Sequence, residues 1–389
     1  MDLDAKTILL RVDYNVPYHP GTTTISDASR IHATLPTINY LIQRNCRVIL
    51  VSHMGRPRGS VIENLRLKPV ADCLSQMLDH PVLQMKQCLG TEVKKTVRGL
   101  PAGSVAMLEN IRFIAGEEGN DPLVAEELAS LADIFVNDAF GAAHRAHAST
   151  EGVAHRLPAV AGFLMEREIA MLGTILQSPK RPFTAIIGGA KISEKSAIVE
   201  NLTRKVDAII IGGGMVATFL KAKGLAIGYS LVEDERVGAT KTLIEELAGE
   251  VPSLLLPKDV VIADSFEEHA NSAVVAVEHI PKGWWIMDIG PETTSIYQKQ
   301  IKVSETVLWN GPMGVFEWDL FSKGTKKVAK TIAGLKGATT ILGGGSTAEV
   351  ADALGLADKM THVSTGGGAS LAFLEGKILP GISVLMDKD

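Results

Sequence analysis

Four times in its second half, the chain passes from an apolar, strand-like run through a glycine cluster into a helix-like run. The four segments cover residues 184–195, 207–220, 339–350 and 362–374. Glycine at a strand-to-helix turn lets the backbone approach a ligand closely, and the free N–H groups at the following helix start attract anions. Such turns are also the tight connections that any doubly wound sheet needs. Four of them predict a surface that holds a polyphosphate, or only the regular turns of an α/β sheet.

Strand-like runs rich in Val and Ile alternate with helical patterns along the whole chain. Continuous apolar strands separated by helical crossovers are typical of parallel sheets that are buried on both faces. A chain of 389 residues is too long for one ordinary core. We therefore predict an α/β fold with two Rossmann-like, three-layer domains and parallel sheets, the first over residues 1–164 and the second over residues 179–370.

A helical pattern over residues 165–178 separates the two halves and is followed by prolines. Its apolar residues Met165, Ile169, Leu172 and Leu176 fall on one helical face. Gly173 inside the pattern either lowers the stiffness of the helix and permits domain motion, or reflects close packing. We predict a linker helix that can act as a hinge.

Charge and cysteine content exclude several classes of protein. A net charge of −5 and a pI near 6.1 argue against nucleic-acid binding through bulk electrostatics. The longest uncharged stretch, residues 208–220, is far shorter than the roughly 20 residues that span a bilayer, and the N-terminus is unlike a secretory signal. Cys46, Cys73 and Cys88 lack the spacing of a metal site, which favours free thiols in a reducing compartment. We expect a cytoplasmic protein without nucleic-acid or membrane partners.

In the first half, polar residues follow the strand-like runs, in the segments RVDYNVP, SHMGRP, ENIRF and NDAFGAAHRAH. Ligands of open α/β sheets lie outside the carboxyl ends of the strands. Arginines placed there offer planar forks for phosphate or carboxylate, although each one alone can equally form a surface ion pair. Arg30 is predicted in the first turn of a helix, where a cation opposes the helix dipole. His144 and His147 are three apart, but the sequence supplies no further ligands for a metal.

The glycine turns of the second half allow two kinds of nucleotide. Residues 212–217 and 343–348 both satisfy GxGxxA, and Glu233 lies about 20 residues beyond the first, as in dinucleotide sites. Both matches arise from plain triple-glycine runs, and no Walker A spacing is present, so a mononucleotide held by several turns fits better. If Gly188–Gly189 opens a helix, Lys191 and Lys195 project from one face of its first turns.

Together these motifs closely resemble the phosphoglycerate kinase family. RVDYNVP, SHMGRP, ENIRF, VNDAFGAAHRAH, GGAKISEK, WNGPMGVFE, GGGSTA and STGGGA occur in the family's order over nearly the full length. The resemblance implies reversible phosphoryl transfer from 1,3-bisphosphoglycerate to ADP, giving 3-phosphoglycerate and ATP, with Mg²⁺. It also implies a monomer whose two domains close about the linker, and a C-terminal segment, residues 371–389, that packs on the first domain.

The resemblance also assigns roles to individual residues. It implies that Arg30 and Lys191 contact the transferring phosphoryl group, together with N–H donors near Gly345 and Gly367. The implied glycerate ligands are Asp13, Asn15, Arg30, His53, Gly55, Arg56, Arg112 and Arg145. The implied nucleotide ligands are Gly189, Lys195, Gly212, Gly213, Asn310, Pro312, Gly314, Glu317, Gly343, Gly344, Gly345, Ser346 and Thr347.

One residue departs from the family's pattern in a way that bears on the metal. Relatives commonly carry Asp where this chain has Ser346. Serine is neutral and a poorer ligand for a hard cation, so protein coordination of Mg²⁺ is not expected here. We expect nucleotide oxygens and water to hold the metal, and Ser346 to cap the following helix. Tyr14 and Tyr18 also replace the usual aliphatic residues, with consequences for packing only.

Two other functions remain compatible with the residues. A nicotinamide-dependent dehydrogenase would use the GxGxxA turns, and a regulatory protein would keep the nucleotide pocket without turnover. Arg30 and Lys191 favour the enzyme over the regulator.

Overall fold

The computed structural model describes residues 2–387. The chain forms two compact units, one of Met1–Ala170 with Ile378–Asp389 and the other of Met171–Lys377. This division falls inside the predicted linker helix, and residues 371–377 belong to the second unit. Within residues 2–387, no helix has the length and apolar character needed to cross a membrane.

A six-stranded parallel sheet forms the centre of the first unit, in the order β3-β4-β2-β1-β5-β6. Its strands are β1 (Thr7–Arg11), β2 (Arg47–Val51), β3 (Val82–Gln84), β4 (Val105–Met107), β5 (Ile134–Asn137) and β6 (Ala159–Ala161). The helices of this unit are α1 (Ser29–Gln43), α2 (Lys68–Leu78), α3 (Thr91–Arg98), α4 (Pro122–Ala129) and the C-terminal α13 (Pro380–Ser383).

Alternate residues of β1 enter different cores, which shows that both faces of the first sheet are covered. Ile8 and Leu10 pack with α1 and α2, whereas Leu9 packs with α3 and α4. Apolar strands of this kind stabilise a sheet only when helices lie on both sides. The first unit therefore has the three layers that the sequence predicts.

A second six-stranded parallel sheet organises the other unit, in the order β15-β14-β13-β7-β8-β9. Its strands are β7 (Phe183–Ile187), β8 (Ala208–Ile211), β9 (Ser253–Leu255), β13 (Thr306–Asn310), β14 (Thr339–Gly343) and β15 (His362–Val363). The helices are α6 (Ser196–Leu202), α7 (Val216–Ala222), α8 (Asp234–Glu246), α9 (Pro291–Lys302), α10 (Lys323–Ala333), α11 (Gly345–Ala353) and α12 (Gly368–Leu374). All four glycine turns follow strands of this sheet, and the α/β class is confirmed.

The sequence did not predict a small antiparallel sheet in the second unit. It consists of β10 (Asp259–Ala263), β11 (Ser272–Ala276) and β12 (Trp285–Ile289), with β10 in the centre. Its strands are short, and their apolar pattern does not differ from that of the parallel strands. The second unit is therefore more elaborate than a single Rossmann-like sheet.

The helix between the two sheets is α5 (Phe163–Gln177), which begins two residues before the predicted linker. Its most buried side chains are Met165, Glu168, Leu172 and Ile175, so Ile169 and Leu176 lie only partly in the buried face. A Cβ added to Gly173 would meet no atom within 4 Å.

The start of α5 and the C-terminal segment each have defined partners in the first unit. Asp138 accepts a hydrogen bond from the backbone N–H of Met165, 3.0 Å away, in the first turn of α5. In the C-terminal segment, the N–H of Gly381 donates to the carbonyl of Ala143, and the carbonyl of Gly381 accepts from the side-chain amide of Asn137. The three cysteines are all free.

Candidate active site

The polar residues predicted from the first half meet beyond the carboxyl ends of β1 and β2. Arg30 Nη1 donates to Asp13 Oδ2 over 2.8 Å, and the backbone N–H of Gly55 donates to Asn15 Oδ1 over 2.9 Å. Arg112 Nη1 donates to the carbonyl of Gly55 over 2.7 Å. Because β1 lies in the middle of the sheet, where the strand order reverses, these groups occupy the crevice in which α/β sheets bind ligands.

The remaining predicted residues lie nearby with weaker connections. His53 is buried, and its Nδ1 is 3.8 Å from Asp13 Oδ1. Arg145 Nε contacts His144 Nε2 at 3.1 Å, and Arg56 is exposed in the loop after β2. Arg112 also pairs with Glu118 at 3.4 Å. The ion pairs that the sequence left as an alternative are therefore present, within the same cluster rather than scattered over the surface.

Arg11 belongs to this cluster, although the sequence reasoning did not select it. It is the last residue of β1 and is 1% exposed. Its Nε donates to Ser149 Oγ at 2.9 Å, and its Nη2 lies 3.2 Å from His53 Nδ1. Its position could have indicated a role, because a charged residue within an apolar strand that is buried on both faces requires partners.

The cluster is strongly cationic, and this sets the protonation of its histidines. Burial lowers the pKa of His53 well below its ordinary value, and Arg11, Arg112 and Arg30 lower it further against the opposing effect of Asp13. Burial and the same kind of neighbours lower the pKa of His147 to about 4. Both rings are neutral near pH 7, so the positive charge offered to an anion comes from the arginines.

In the second unit, three turns pack backbone against backbone at the ends of β7, β8 and β13. The N–H of Gly188 donates to the carbonyl of Asn310 over 2.8 Å, and the N–H of Gly189 to that of Pro312 over 3.1 Å. A Cβ on Gly213, where φ is +71°, would lie 2.5 Å from Gly189 N. Glycine is required there by both the conformation and the space.

A cavity of about 400 Å³ opens above these turns. One side consists of glycine backbone, and the other is apolar, with the rings of Phe266 and Trp285 in tilted contact at a centroid distance of 5.6 Å and an interplanar angle of 58°. β12 of the antiparallel sheet contributes Trp285, Ile286 and Met287 to this apolar side. The lining residues are Gly189, Ala190, Gly213, Gly214, Ser230, Leu231, Phe266, Trp285, Ile286, Met287, Pro312, Gly314, Val315, Glu317 and Ser346.

The two lysines of the first glycine turn are placed differently from the prediction. Helix α6 begins only at Ser196, because residues 188–195 form an irregular loop, so Lys191 and Lys195 do not lie in its first turns. Lys191 is exposed, whereas Lys195 is 9% exposed and precedes the helix. Burial lowers the pKa of Lys195. The two side chains therefore lie in different environments, Lys191 in solvent and Lys195 in the interior.

Ser346, in the third glycine turn, does not cap the following helix as the sequence predicts. Helix α11 begins at Gly345 and its N-cap is Gly344, which leaves Ser346 in the first turn with no side-chain cap hydrogen bond. Ser346 is exposed, lines the cavity and is free to face a ligand. Thr347 is buried instead and accepts the N–H of Gly311 over 2.6 Å.

Two further predicted residues flank the strand ends. Asn310 Nδ2 donates to the carbonyl of Gly343 over 2.7 Å, which joins β13 to the turn after β14. Gly367, with φ of +51°, is the N-cap of α12. Helix starts therefore follow both Gly344 and Gly367.

The donors in this region do not form a protein-held metal site. Among residues 2–387, no three His, Cys, Asp or Glu side chains are grouped so as to hold a metal ion. The cavity offers Glu317 as a carboxylate and Ser346 as a hydroxyl. This donor set fits a cation that arrives with a phosphate ligand, rather than one bound by the protein alone.

Comparison with known proteins decides the family. The sequence profile of phosphoglycerate kinase matches residues 1–377. The chain belongs to the phosphoglycerate kinase family. It is 55% identical over 383 residues to phosphoglycerate kinase of Herpetosiphon aurantiacus, covering 98% of this chain and 97% of the relative. It is 53% identical over 388 residues to phosphoglycerate kinase of Moorella thermoacetica, covering 100% and 98%.

Solved structures of phosphoglycerate kinases agree with this assignment. The structure from Coxiella burnetii has a TM-score of 0.88 and 40% identity, covering 99% of this chain and 97% of that chain. The crystal structure from Pyrococcus horikoshii has a TM-score of 0.86 and 32% identity, with the same coverage. Membership of the phosphoglycerate kinase family makes the chain a kinase, which is a phosphotransferase.

Proposed function

We propose that the protein transfers a phosphoryl group reversibly from 1,3-bisphosphoglycerate to ADP, giving 3-phosphoglycerate and ATP in glycolysis and gluconeogenesis. The acceptor in the reverse direction is then a carboxyl group. The observation that carries this proposal is the cationic crevice of the first unit, in which Asp13, Arg30, His53 and Arg112 lie together beside buried Arg11. Several arginine forks with a few acceptors suit a small anion that carries both a phosphate and hydroxyl groups.

The glycerate ligands are proposed residue by residue from the family's motifs. They are Asp13, Asn15, Arg30, His53, Gly55, Arg56, Arg112 and Arg145. Asp13 and Asn15 are suited to substrate hydroxyls, since their oxygens accept hydrogen bonds. Arg112 is held by Gly55 and Glu118, which leaves the rest of its planar fork for a phosphate or carboxylate.

The nucleotide is proposed to bind in the cavity of the second unit. The glycine backbone suits close approach of a flat base and of phosphates, and Glu317 can accept from ribose hydroxyls. The proposed ligands are Gly189, Lys195, Gly212, Gly213, Asn310, Pro312, Gly314, Glu317, Gly343, Gly344, Gly345, Ser346 and Thr347. Buried Lys195 supplies a point charge for phosphate.

Mg²⁺ is proposed to accompany ADP and ATP. When bound, it would neutralise phosphate charge and orient the transferring group. Ser346 is the side chain of this chain that would face it, where relatives carry Asp. Because a hydroxyl adds no charge, the nucleotide oxygens and water would supply most of the ligands.

The chemistry requires no general base. The carboxylate of 3-phosphoglycerate and the phosphate oxygens of ADP are both ionised near neutral pH, so catalysis rests on positioning and charge stabilisation. We propose Arg30 and Lys191 for the transferring phosphoryl group, with N–H donors of the helix starts at Gly345 and Gly367. We further propose that the two units close about α5 to exclude water, and that the protein is a cytoplasmic monomer.

A coupled assay with ATP and 3-phosphoglycerate tests the proposal. The kinase consumes ATP only when both substrates and Mg²⁺ are present, whereas a dehydrogenase requires a nicotinamide cofactor and a regulatory protein binds without product. Absence of turnover in protein that binds ADP by calorimetry would reject the proposed reaction.

A further inference from the structure

A chain of buried polar groups runs from Glu117 to His53 beneath the cationic crevice. Glu117 Oε1 accepts from Ser149 Oγ over 2.6 Å, and its Oε2 accepts from the backbone N–H of Ser149 over 3.0 Å. Ser149 Oγ lies 2.9 Å from Arg11 Nε, and Arg11 Nη2 lies 3.2 Å from His53 Nδ1. Glu117 and Ser149 are 0% exposed, Arg11 1% and His53 6%.

Because Arg11 can only donate, the donor and the acceptor of each hydrogen bond between Glu117 and His53 are determined. A guanidinium only donates, so Ser149 Oγ accepts from Arg11 and sends its own proton to Glu117. For the same reason His53 Nδ1 accepts from Arg11 Nη2, and the single proton of the neutral ring must be on Nε2. Asp13 Oδ1 is the competing partner for Nδ1, but it lies 3.8 Å away, beyond hydrogen-bond distance.

We propose that Glu117, acting through Ser149 and Arg11, is a positioning residue that holds His53 as its neutral Nε2–H tautomer. His53 then offers a hydrogen-bond donor, without a charge, to the anion in the crevice. This last step rests on the proposed function, in which the anion is 3-phosphoglycerate or 1,3-bisphosphoglycerate.

The buried charges support this role for Glu117. Arg11 is removed from water and needs a counter-charge, which Glu117 supplies through one intervening hydroxyl. Its guanidinium is held further by the carbonyl of Val12. If the hold on Arg11 is lost, the guanidinium can turn away from the ring, and Asp13 becomes the nearest partner of Nδ1. We therefore expect the Nδ1–H tautomer to appear when either Glu117 or Ser149 is changed.

The test is ¹⁵N NMR of the full chain labelled at histidine, together with steady-state kinetics. The variants are Glu117→Gln and Ser149→Ala, and the matched controls are Glu126→Gln and Ser130→Ala, which alter a carboxylate and a hydroxyl outside this network. The wild type and both controls should show His53 with a protonated Nε2. Both test variants should show increased Nδ1–H tautomer and a KM for 3-phosphoglycerate raised about tenfold, with kcat and the KM for ATP nearly unchanged.

Several results would overturn the inference. A wild-type His53 protonated on Nδ1 would do so without any variant, which matters if Glu117→Gln fails to fold. An unchanged tautomer in Ser149→Ala would also reject it, even with a raised KM, since the effect would then be purely structural. A changed tautomer with an unchanged KM would reject the donor role of His53. Wild-type protein without turnover would count against the proposed function instead, and the tautomer measurement would still stand.

Discussion

Arg30 Nη1 lies 2.8 Å from Asp13 Oδ2, so the guanidinium proposed to act on the transferring phosphoryl group is held by a carboxylate of its own cluster. The two side chains are 32% and 12% exposed, which leaves part of the arginine fork open. A side chain that is already oriented loses less conformational freedom when substrate arrives. The ion pair with Asp13 therefore orients the Arg30 guanidinium before the anion binds.

Replacing Arg30 by alanine is therefore expected to lower turnover about 10³-fold, since a phosphoryl-stabilising arginine contributes that much or more. The affinity for ADP, measured by calorimetry, should stay nearly intact because Arg30 lies in the first unit. Arg44→Ala is the control, as Arg44 forms a comparable pair with Asp4 at 3.2 Å on the exposed side of that unit. Comparable losses of turnover and ADP affinity would contradict the assignment.

Replacing Ser346 by aspartate should tighten binding of Mg-ADP roughly tenfold, equivalent to ~1.4 kcal/mol. The physical reason is that a carboxylate in the first turn of α11 adds a charged oxygen ligand at the edge of the cavity. Titration of ADP with and without Mg²⁺ measures the effect, and Ser346→Ala serves as control. If Ser346→Asp leaves Mg-ADP affinity unchanged or weaker, the metal is not held near this side chain.

The variants Gly213→Ala and Gly224→Ala distinguish the cost of a positive φ from the cost of too little space for a Cβ. Both positions have positive φ, +71° and +78°, so each substitution should lower the free energy of unfolding by about 1 kcal/mol. Only at Gly213 would the new Cβ meet other atoms, at 2.5 Å from Gly189, whereas Gly224 faces open space. Urea unfolding should therefore show a larger loss for Gly213→Ala, together with loss of ADP binding. Equal losses in the two variants would show that the turn adapts.

Asp288 should make stability depend on pH near neutrality. Burial raises the pKa of this carboxyl to about 7, against hydrogen bonds from Gly324 and Ile289 that lower it. The unfolded carboxyl has a pKa near its ordinary value of about 3.9. Between these two values the folded state binds more protons, so stability is highest at the acid end and falls as the pH rises.

The variant Asp288→Asn removes this dependence. The unfolding free energy of the wild type minus that of the variant should fall between about pH 4 and pH 7, by at most about 1.4 kcal/mol per pH unit. Other titrating groups are common to both proteins and cancel in the difference. A difference that stays constant over this range would mean that the folded carboxyl is already ionised near pH 4 and that burial does not raise its pKa.

The sequence predicted the parallel sheets because their strands are continuous apolar runs, each ended by polar residues or glycine. It missed the antiparallel sheet, since the strand β12 reads like any other apolar run, and with it the apolar side of the cavity at Trp285 and Phe266. It also missed Glu117, because Glu117 and Glu118 are adjacent acids whose burial differs completely. Only tertiary packing distinguishes the two, as Ser149 comes from a distant part of the chain.

The helix after the first glycine turn was predicted too early for a related reason. Residues 190–195 have acceptable helix propensity, but Gly189 has a φ of +108°, outside the helical region, and its carbonyl accepts the N–H of Met215 over 3.2 Å. A carbonyl bonded to a distant turn cannot accept a hydrogen bond within a helix. Such competition between local and distant partners is not visible in the residue pattern.

The backbone packing of Gly188, Gly213 and Gly311 also bears on how the second unit folds. A surface built from main chain has no rotamers to sort, so its shape follows directly from the register of β7, β8 and β13. Correct alignment of these three strands is thus sufficient to form the cavity floor, whatever rotamers the surrounding side chains adopt.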